Sequence, residues 1–428
     1  MSSRTATWDP VASRPGWLAF GALLRPVQLG LAFPSVLYLA AMTVFLFRPP
    51  DLDFYHADRI ALGVLVFFVA LRSLARRQRI PFVAGLSLPM LGLVVLAVLR
   101  ALREPFDAQT WSLVASKFVV PFVLFHVAIL VFRGASSRRH FEIFVILALT
   151  YLVFTAVAFL ADARSLIVPQ FILNESLGIH ADRARGPFLQ AVANGLSLNM
   201  LGILAMVLVQ KHRRVVLLLW LVLPLAVLAT MTRAVWISFA VSTIALGFRL
   251  GVPYLRRACL GLAVAGLVFG FAISLTDNSL AQTLRDRTAE RGPVEARMAV
   301  YHAAWGMFQE RPLTGWTANG MYSELARRMQ GYHLRTFYVH NTYLSLLIEF
   351  GIPGLVLYGI LFFNLFRLGR TSIAGDRSPP VSALRKAWPI LLCVYLFNAF
   401  FVDMAYQFVI GLMFTVAGML CSSEEAPS

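Results

Sequence analysis

The chain has 428 residues, 59% of them hydrophobic and 14% charged, and a formal net charge of +17 at pH 7. A soluble domain carries roughly a quarter charged residues, and a single core stops growing near ~250–300 residues. This composition therefore excludes a cytosolic enzyme, a disulfide-stapled secreted scaffold and, despite the charge, a nucleic-acid binder. The apolar residues come in blocks long enough to cross ~30 Å of hydrocarbon as helices, which predicts an all-α polytopic membrane protein.

In chain order, the polar first ~15 residues lead into a long apolar block followed by many others, so no cleavable signal peptide is expected. About twelve spans are read, at 27–47, 60–75, 81–99, 111–132, 141–160, 188–209, 215–231, 234–250, 258–275, 342–366, 388–402 and 406–420. Pro34, Pro89, Pro121, Pro224 and Pro353 fall inside spans. Neighbouring helices can re-satisfy the freed carbonyls there, so these prolines predict kinks and leave the spans standing. Cys259, Cys393 and Cys421 lie in or beside apolar blocks and read as small packing residues. No Cys/His cluster has metal-ligand spacing, so neither a metal nor a cofactor is expected.

Lysine and arginine collect in cytoplasmic loops. The N-terminus and the even-numbered connections carry runs such as Arg72, Arg76, Arg77 and Arg79, then Arg133, Arg138 and Arg139, then Arg249, Arg256 and Arg257, with almost no acids among them. The short odd-numbered connections mix arginines with Asp and Glu. Both termini are therefore predicted to be cytoplasmic, and the excess positive charge is read as topology and as attraction to anionic membrane lipids. The expected organisation is a membrane domain over 1–275, a large outward loop over 276–340 between the ninth and tenth spans, and a second membrane segment over 341–428.

Two helices are expected in that loop. Val294, Met298, Tyr301, Trp305 and Phe308 step by three and four residues, giving one apolar stripe. A second run from about Asn319 to Gln330 contains Met321, Tyr322, Leu325 and Met329. Trp and Tyr on such faces favour headgroup depth, so the loop is expected to lie on the outer leaflet as a cover.

The charges of interest are those that topology does not need. Arg233 ends the short outward turn Thr230-Met231-Thr232-Arg233, where a charge is costly unless it is paired or faces a wet cavity; an interfacial anchor fits it equally. Arg183 and Arg185 precede the sixth span, and Arg297 lies beside the apolar stripe. His340 ends the outward loop where the tenth span begins, next to the positive end of a helix dipole. Imidazole is the side chain that takes up a proton near neutral pH. The other outward or membrane-buried histidines, His180 among them, have no such setting. Glu349 is nine residues on and on the opposite side of a continuous helix from His340, although Gly351-Ile352-Pro353-Gly354 invites a break. Lys117 and Asp403 lie in or near spans and are expected to pair across helices.

The run His340-Asn341-Thr342-Tyr343-Leu344 with Glu349-Phe350-Gly351-Ile352-Pro353-Gly354-Leu355 resembles the signature of the O-antigen ligase and polymerase superfamily. Arg297 with Trp305 and Glu310-Arg311-Pro312-Leu313-Thr314-Gly315 is similar to that family's arginine, tryptophan and Pro-Leu-x-Gly turn. Thr232-Arg233-Ala234 and Arg185-Gly186-Pro187-Phe188 with Asn194-Gly195 match two further elements. The family commonly has Gly-x-Gly in the turn after the proline, whereas this chain has Gly315-Trp316-Thr317.

The resemblance implies an inverting, metal-independent glycosyltransferase of the bacterial inner membrane with its active site facing the periplasm. Its donor would be a glycan on undecaprenyl diphosphate and its acceptor a lipid A–core hydroxyl. On that reading His340 is the general base. Arg233 and Arg297, with Arg185 as a third, hold the diphosphate through bidentate guanidinium contacts, and Asn341 and Glu349 are supporting residues. An O-antigen or exopolysaccharide polymerase is the alternative within the family. A transporter or flippase for polyprenyl-linked glycans is the alternative outside it, although its charges would be expected near the midplane between related halves.

Overall fold

The computed structural model describes residues 32–48, 56–178, 180–210, 212–249, 292–329, 339–369 and 379–422, with residues 257 and 261. The described residues form helices joined by turns and irregular connections, with no strand among them. In chain order the helices are α1 (Pro34–Leu46), α2 (Ala57–Ala75), α3 (Ala84–Ala101), α4 (Ala108–Val131), α5 (Ala135–Leu160), α6 (Ala191–Leu208), α7 (Arg213–Leu228) and α8 (Arg233–Arg249). They continue as α9 (Gly292–Glu310), α10 (Ala318–Arg328), α11 (Thr342–Leu368), α12 (Pro379–Ala399) and α13 (Gln407–Cys421). Every expected span falls on one of these helices except the ninth, 258–275, which lies outside the described residues together with loop segments 276–291 and 330–338. Five helices, α3, α4, α5, α6 and α11, are long and apolar enough to cross a bilayer. The chain is thus an all-helical protein with the character of a polytopic membrane protein.

The core is organised around α6, which is 89% buried and surrounded by α5, α7, α8 and α12. Its sequence explains how it fits. Gly195 and Gly202 let Val235 of α8 and Leu223 of α7 come against its backbone, the close approach small residues permit between membrane helices. Asn199 ties α6 to α8, donating to Ser238 Oγ at 3.3 Å and accepting from Ser242 Oγ at 3.0 Å. Around this centre α13 lies along α4. On the flank α11 lies antiparallel to α3, with Asn364 Nδ2 donating to Gly85 O at 2.8 Å.

Two irregularities carry the site. In α4 the stretch Ala115–Val119 is π-helical, with Val120 N–H reaching Ala115 O, directly before Pro121. A proline ring clashes with the carbonyl four residues back, and the wider π turn relieves that crowding while carrying Lys117. In α11 the helix breaks at Gly351 (φ 64, ψ −160). The break frees Ile348 O and Ile352 N–H, and the segment after α9 takes both: Trp316 N–H donates to Ile348 O and Ile352 N–H donates to Pro312 O, each at 2.7 Å. Gly315 (φ +62) and Gly351 face this junction so closely that a Cβ on either would strike backbone of the other segment. One glycine with positive φ suffices for the turn, which is why Thr317, starting α10 from an extended conformation (φ −69, ψ 166), can stand where a second glycine is common.

The loop helices correct one expectation. The residues of α9 that face inward are Val300, Ala304 and Met307, which join Met321, Leu325 and Met329 of α10 and Ile348 of α11 in a separate small core. Met298 and Trp305, expected on a single apolar stripe, are 51% and 49% exposed, and the Trp305 ring packs on Phe308 at 5.1 Å. α9 therefore has two apolar faces. The small Ala and Gly positions of the inner one hid it from a reading based on large side chains.

Candidate active site

His340 sits two residues before α11 with φ +49, a left-handed conformation that non-glycine residues rarely adopt. The next residue holds it there: Asn341 caps α11, its Oδ1 accepting from Tyr343 N at 3.0 Å and Leu344 N at 3.1 Å. Thr342 then fixes the helix start to the α12–α13 turn, donating to Val402 O at 2.9 Å and accepting from Met404 N at 3.0 Å. On the other side, Tyr301 of α9 reaches both His340 O and Phe400 O with its hydroxyl, each at 3.3 Å.

Arg297 is one helical turn before Tyr301 and so on the same face of α9. It is half-buried, and no described residue takes a hydrogen bond from its guanidinium. Burial, together with the positive charges of Arg297 and His180, holds the His340 imidazole below its ordinary range. The site thus brings together His340, Arg297, Tyr301 and Asn341, with His180 supplied by the 161–190 connection. His180, set aside in the sequence for want of context, lies near enough for its charge to bear on His340. Nothing in its local run marks it, because its neighbourhood to His340 is made by the fold of that connection.

Arg233 opens α8 on the same end of the bundle and is exposed. Its turn is fastened to the 161–190 connection by Ala184 N–H donating to Ala229 O at 3.0 Å. Arg185 departs from expectation. It is 1% exposed, and its guanidinium donates to Ile172 O at 2.9 Å, Leu177 O at 2.5 Å and Asn174 O at 2.5 Å. Three of its five N–H donors go to carbonyls of its own connection and the side chain is buried, so in this structure it shapes that segment and presents no exposed fork for a diphosphate. Gly186, next in the motif, has φ +55 and lies against Asn194, whose Nδ2 donates to Ala184 O at 2.8 Å. The Arg-Gly-Pro-Phe and Asn-Gly pieces are thus a fastening between the connection and α6.

Glu349 does not reach His340. The break lies beyond it, so the chain from Thr342 to Glu349 stays helical. Its carboxylate is buried between Arg100 Nη1 of α3 at 3.1 Å and Lys117 Nζ of α4 at 3.6 Å. Lys117 in turn pairs with Asp403 Oδ2 at 2.6 Å, as expected for these two. Arg100 Nε also donates to Trp316 O at 2.7 Å. The result is a neutral quartet, Glu349 buried and Arg100, Lys117 and Asp403 partly so, running from the loop dock through α11 and α4 to the turn that holds Thr342. Lys117, Glu349 and Asp403 line, with Thr342 and Ser345, the polar part of a cavity of about 50 Å³ whose remaining wall is apolar, from residues such as Phe118, Leu361 and Phe414. That is space for a few waters.

Among the described residues no group of His, Cys, Asp and Glu could hold a metal ion. The cationic and basic groups at this end are arginines and imidazoles. They can bind an anionic ester, stabilise charge that develops on it, and accept a proton from a hydroxyl.

Residues 216–359 match the family model described as O-antigen ligase. This stretch holds Arg233, Arg297, His340 and Glu349. No curated protein matches the chain.

Proposed function

With residues 216–359 as an O-antigen ligase segment, we propose that this protein transfers a glycan from undecaprenyl diphosphate to a lipid A–core hydroxyl, at the periplasmic face of a bacterial inner membrane. The observation that carries the reading is the approach of α9 to His340, where Tyr301, one turn after Arg297, puts its hydroxyl 3.3 Å from His340 O at one end of an apolar helical bundle, with all three residues inside the matched segment.

The donor's diphosphate lies against the Arg297 and Arg233 guanidinium groups, with its polyprenyl chain in the bilayer. His340 accepts the proton of the acceptor hydroxyl as that oxygen attacks the anomeric carbon from the face opposite the diphosphate. The new C–O bond forms while the bond to the diphosphate oxygen breaks, inverting the centre. The electron pair and charge pass to undecaprenyl diphosphate, where the arginines stabilise them. The energy comes from the activated donor.

The test is transfer by the purified full-length protein in detergent, with lipid-linked O-antigen and lipid A–core as substrates. Glycosylated lipid A–core is the expected product, and its formation without a sealed membrane sets transport aside. Chains that lengthen on the carrier while lipid A–core stays bare would make the enzyme a polymerase. His340→Ala is expected to lower transfer by about 10²–10⁴-fold, the usual worth of general acid–base catalysis, with donor binding retained. Transfer at the unsubstituted rate by that variant would remove His340 from the chemistry.

A further inference from the structure

Tyr301 is absent from the chemistry above, yet its hydroxyl is the described contact that joins three elements of the site. It comes from α9, meets the carbonyl of His340 before α11, and meets the carbonyl of Phe400 in the α12–α13 turn. Both bonds are long at 3.3 Å, as expected when one hydroxyl hydrogen is shared between two acceptors. The Asn341 side chain is a further neighbour of the phenol. We infer that Tyr301 is a positioning residue of the transfer centre, whose hydroxyl keeps α9, and with it Arg297, in register with His340.

Three observations carry this. Arg297 and Tyr301 are four residues apart on one helix, so a constraint on one fixes the other to within a side-chain rotation. The carbonyl that Tyr301 meets belongs to a residue in left-handed backbone, which persists only where its surroundings hold it. The adjoining face of α9 is anchored through Val300, Ala304 and Met307, and Trp316 Nε1 donates to Met307 O at 2.8 Å towards the C-terminal end of the helix. Tyr301 supplies a directional contact one turn from Arg297, in the half of α9 that meets His340. Burial raises the phenol above its ordinary value, so it remains a hydrogen-bond donor across the working pH range.

The inference rests on the proposed glycosyl transfer, and the experiment separates the two. Full-length Tyr301→Phe, His340→Ala and Arg297→Gln are assayed in detergent with lipid-linked glycan and lipid A–core, following kcat, donor KM, pH profile and thermal melting. Tyr301→Phe is expected to lose about 10- to 100-fold in kcat, the scale of a misplacement near 1 Å, with donor KM within twofold and melting unchanged. Among the described residues, the groups whose charge or hydroxyl bears on His340 include Arg297 and Tyr301 from α9 and His180 from the 161–190 connection. With α9 out of register the Arg297 charge bears less on the imidazole, so the acidic limb of the profile moves to higher pH. A merely structural tyrosine would not move it.

The Tyr301→Phe/Arg297→Gln double variant is expected to be less impaired than the product of the single losses. Should Tyr301→Phe fail to accumulate, Tyr301→Gln, which keeps a donor on a shorter arm, carries the same test. Unchanged kcat and an unmoved acidic limb, additive losses, or a kcat loss that follows melting would each overturn the role of Tyr301. Undiminished transfer by His340→Ala would instead overturn the reading on which it rests.

Discussion

At the scale of single residues, the arginines at this end of the bundle differ in exposure: Arg233 is exposed and Arg297 half-buried, whereas Arg185 is 1% exposed. Arg233 and Arg297 are the forks proposed for the diphosphate, and Arg233→Lys or Arg297→Lys is expected to restore little of what the alanine variants lose, because an ammonium cannot bind two phosphate oxygens at once. Titration of a fluorescent donor analogue checks this, with weakening of about 10- to 100-fold expected for alanine, near 1.4 kcal/mol per decade. Arg185→Lys behaves differently. It breaks up to three bonds to backbone carbonyls and lowers stability. His340 gives the pH dependence its sign. Burial and two neighbouring positive groups depress its affinity for protons, so the proposed base stays unprotonated further into acid and the acidic limb of kcat/KM, which reports the free enzyme, lies below the ordinary imidazole range. Arg297→Gln raises that limb, and an unchanged profile would detach the limb from His340. The sequence singled out His340, Arg233 and Arg297 as candidates through residue type, position and the family resemblance. It could not show that Arg185 turns inward, since burial of a guanidinium depends on where three carbonyls from another turn are folded.

At the scale of elements, the break in α11 and the segment that docks into it form one unit. Gly315→Ala places a methyl against Glu349 O from a backbone with φ +62, and a loss of about 1–3 kcal/mol is expected, visible as a lower melting temperature in detergent. Gly359→Ala, later in α11 where a Cβ meets nothing within 4 Å, is the control and should be neutral or slightly stabilising. The two sequence runs, Pro312-Leu313-Thr314-Gly315 and Glu349-Phe350-Gly351-Ile352-Pro353-Gly354, were each readable as a turn and a breaker. That they are the two halves of one joint was not readable, because the hydrogen bonds between them exist only after both breaks have formed. The inner face of α9 escaped for a simpler reason. Its Ala303, Ala304 and Gly306 give little hydropathy contrast, and the large Met298 and Trp305 outline the wrong side.

At the scale of the whole molecule, apolar block length and charge distribution were enough to read an all-helical membrane bundle. What they could not supply was the arrangement around α6, where polar Asn199, Ser238 and Ser242 link helices that hydropathy treats as interchangeable. The quartet spans the same scale. Removing one member of such a group leaves an uncompensated charge, so Lys117→Met is expected to destabilise by about 3–5 kcal/mol. Lys117→Met with Asp403→Asn should recover part of that, which comparison of the single and double variants by thermal unfolding resolves.

The same quartet bears on how the chain is made. Arg100 precedes its partner Glu349 by 249 positions, so a ribosome delivers the two cations long before the carboxylate that neutralises one of them. Until α11 emerges, those early helices hold unmatched charge and cannot settle into their final depth. Biogenesis is thereby biased toward late closure, in which the arrival of Glu349 and then of Asp403 completes the neutral group. A nascent chain halted just short of Thr342 should accordingly remain open to the membrane's quality-control proteases, whereas one released after Cys421 should resist them.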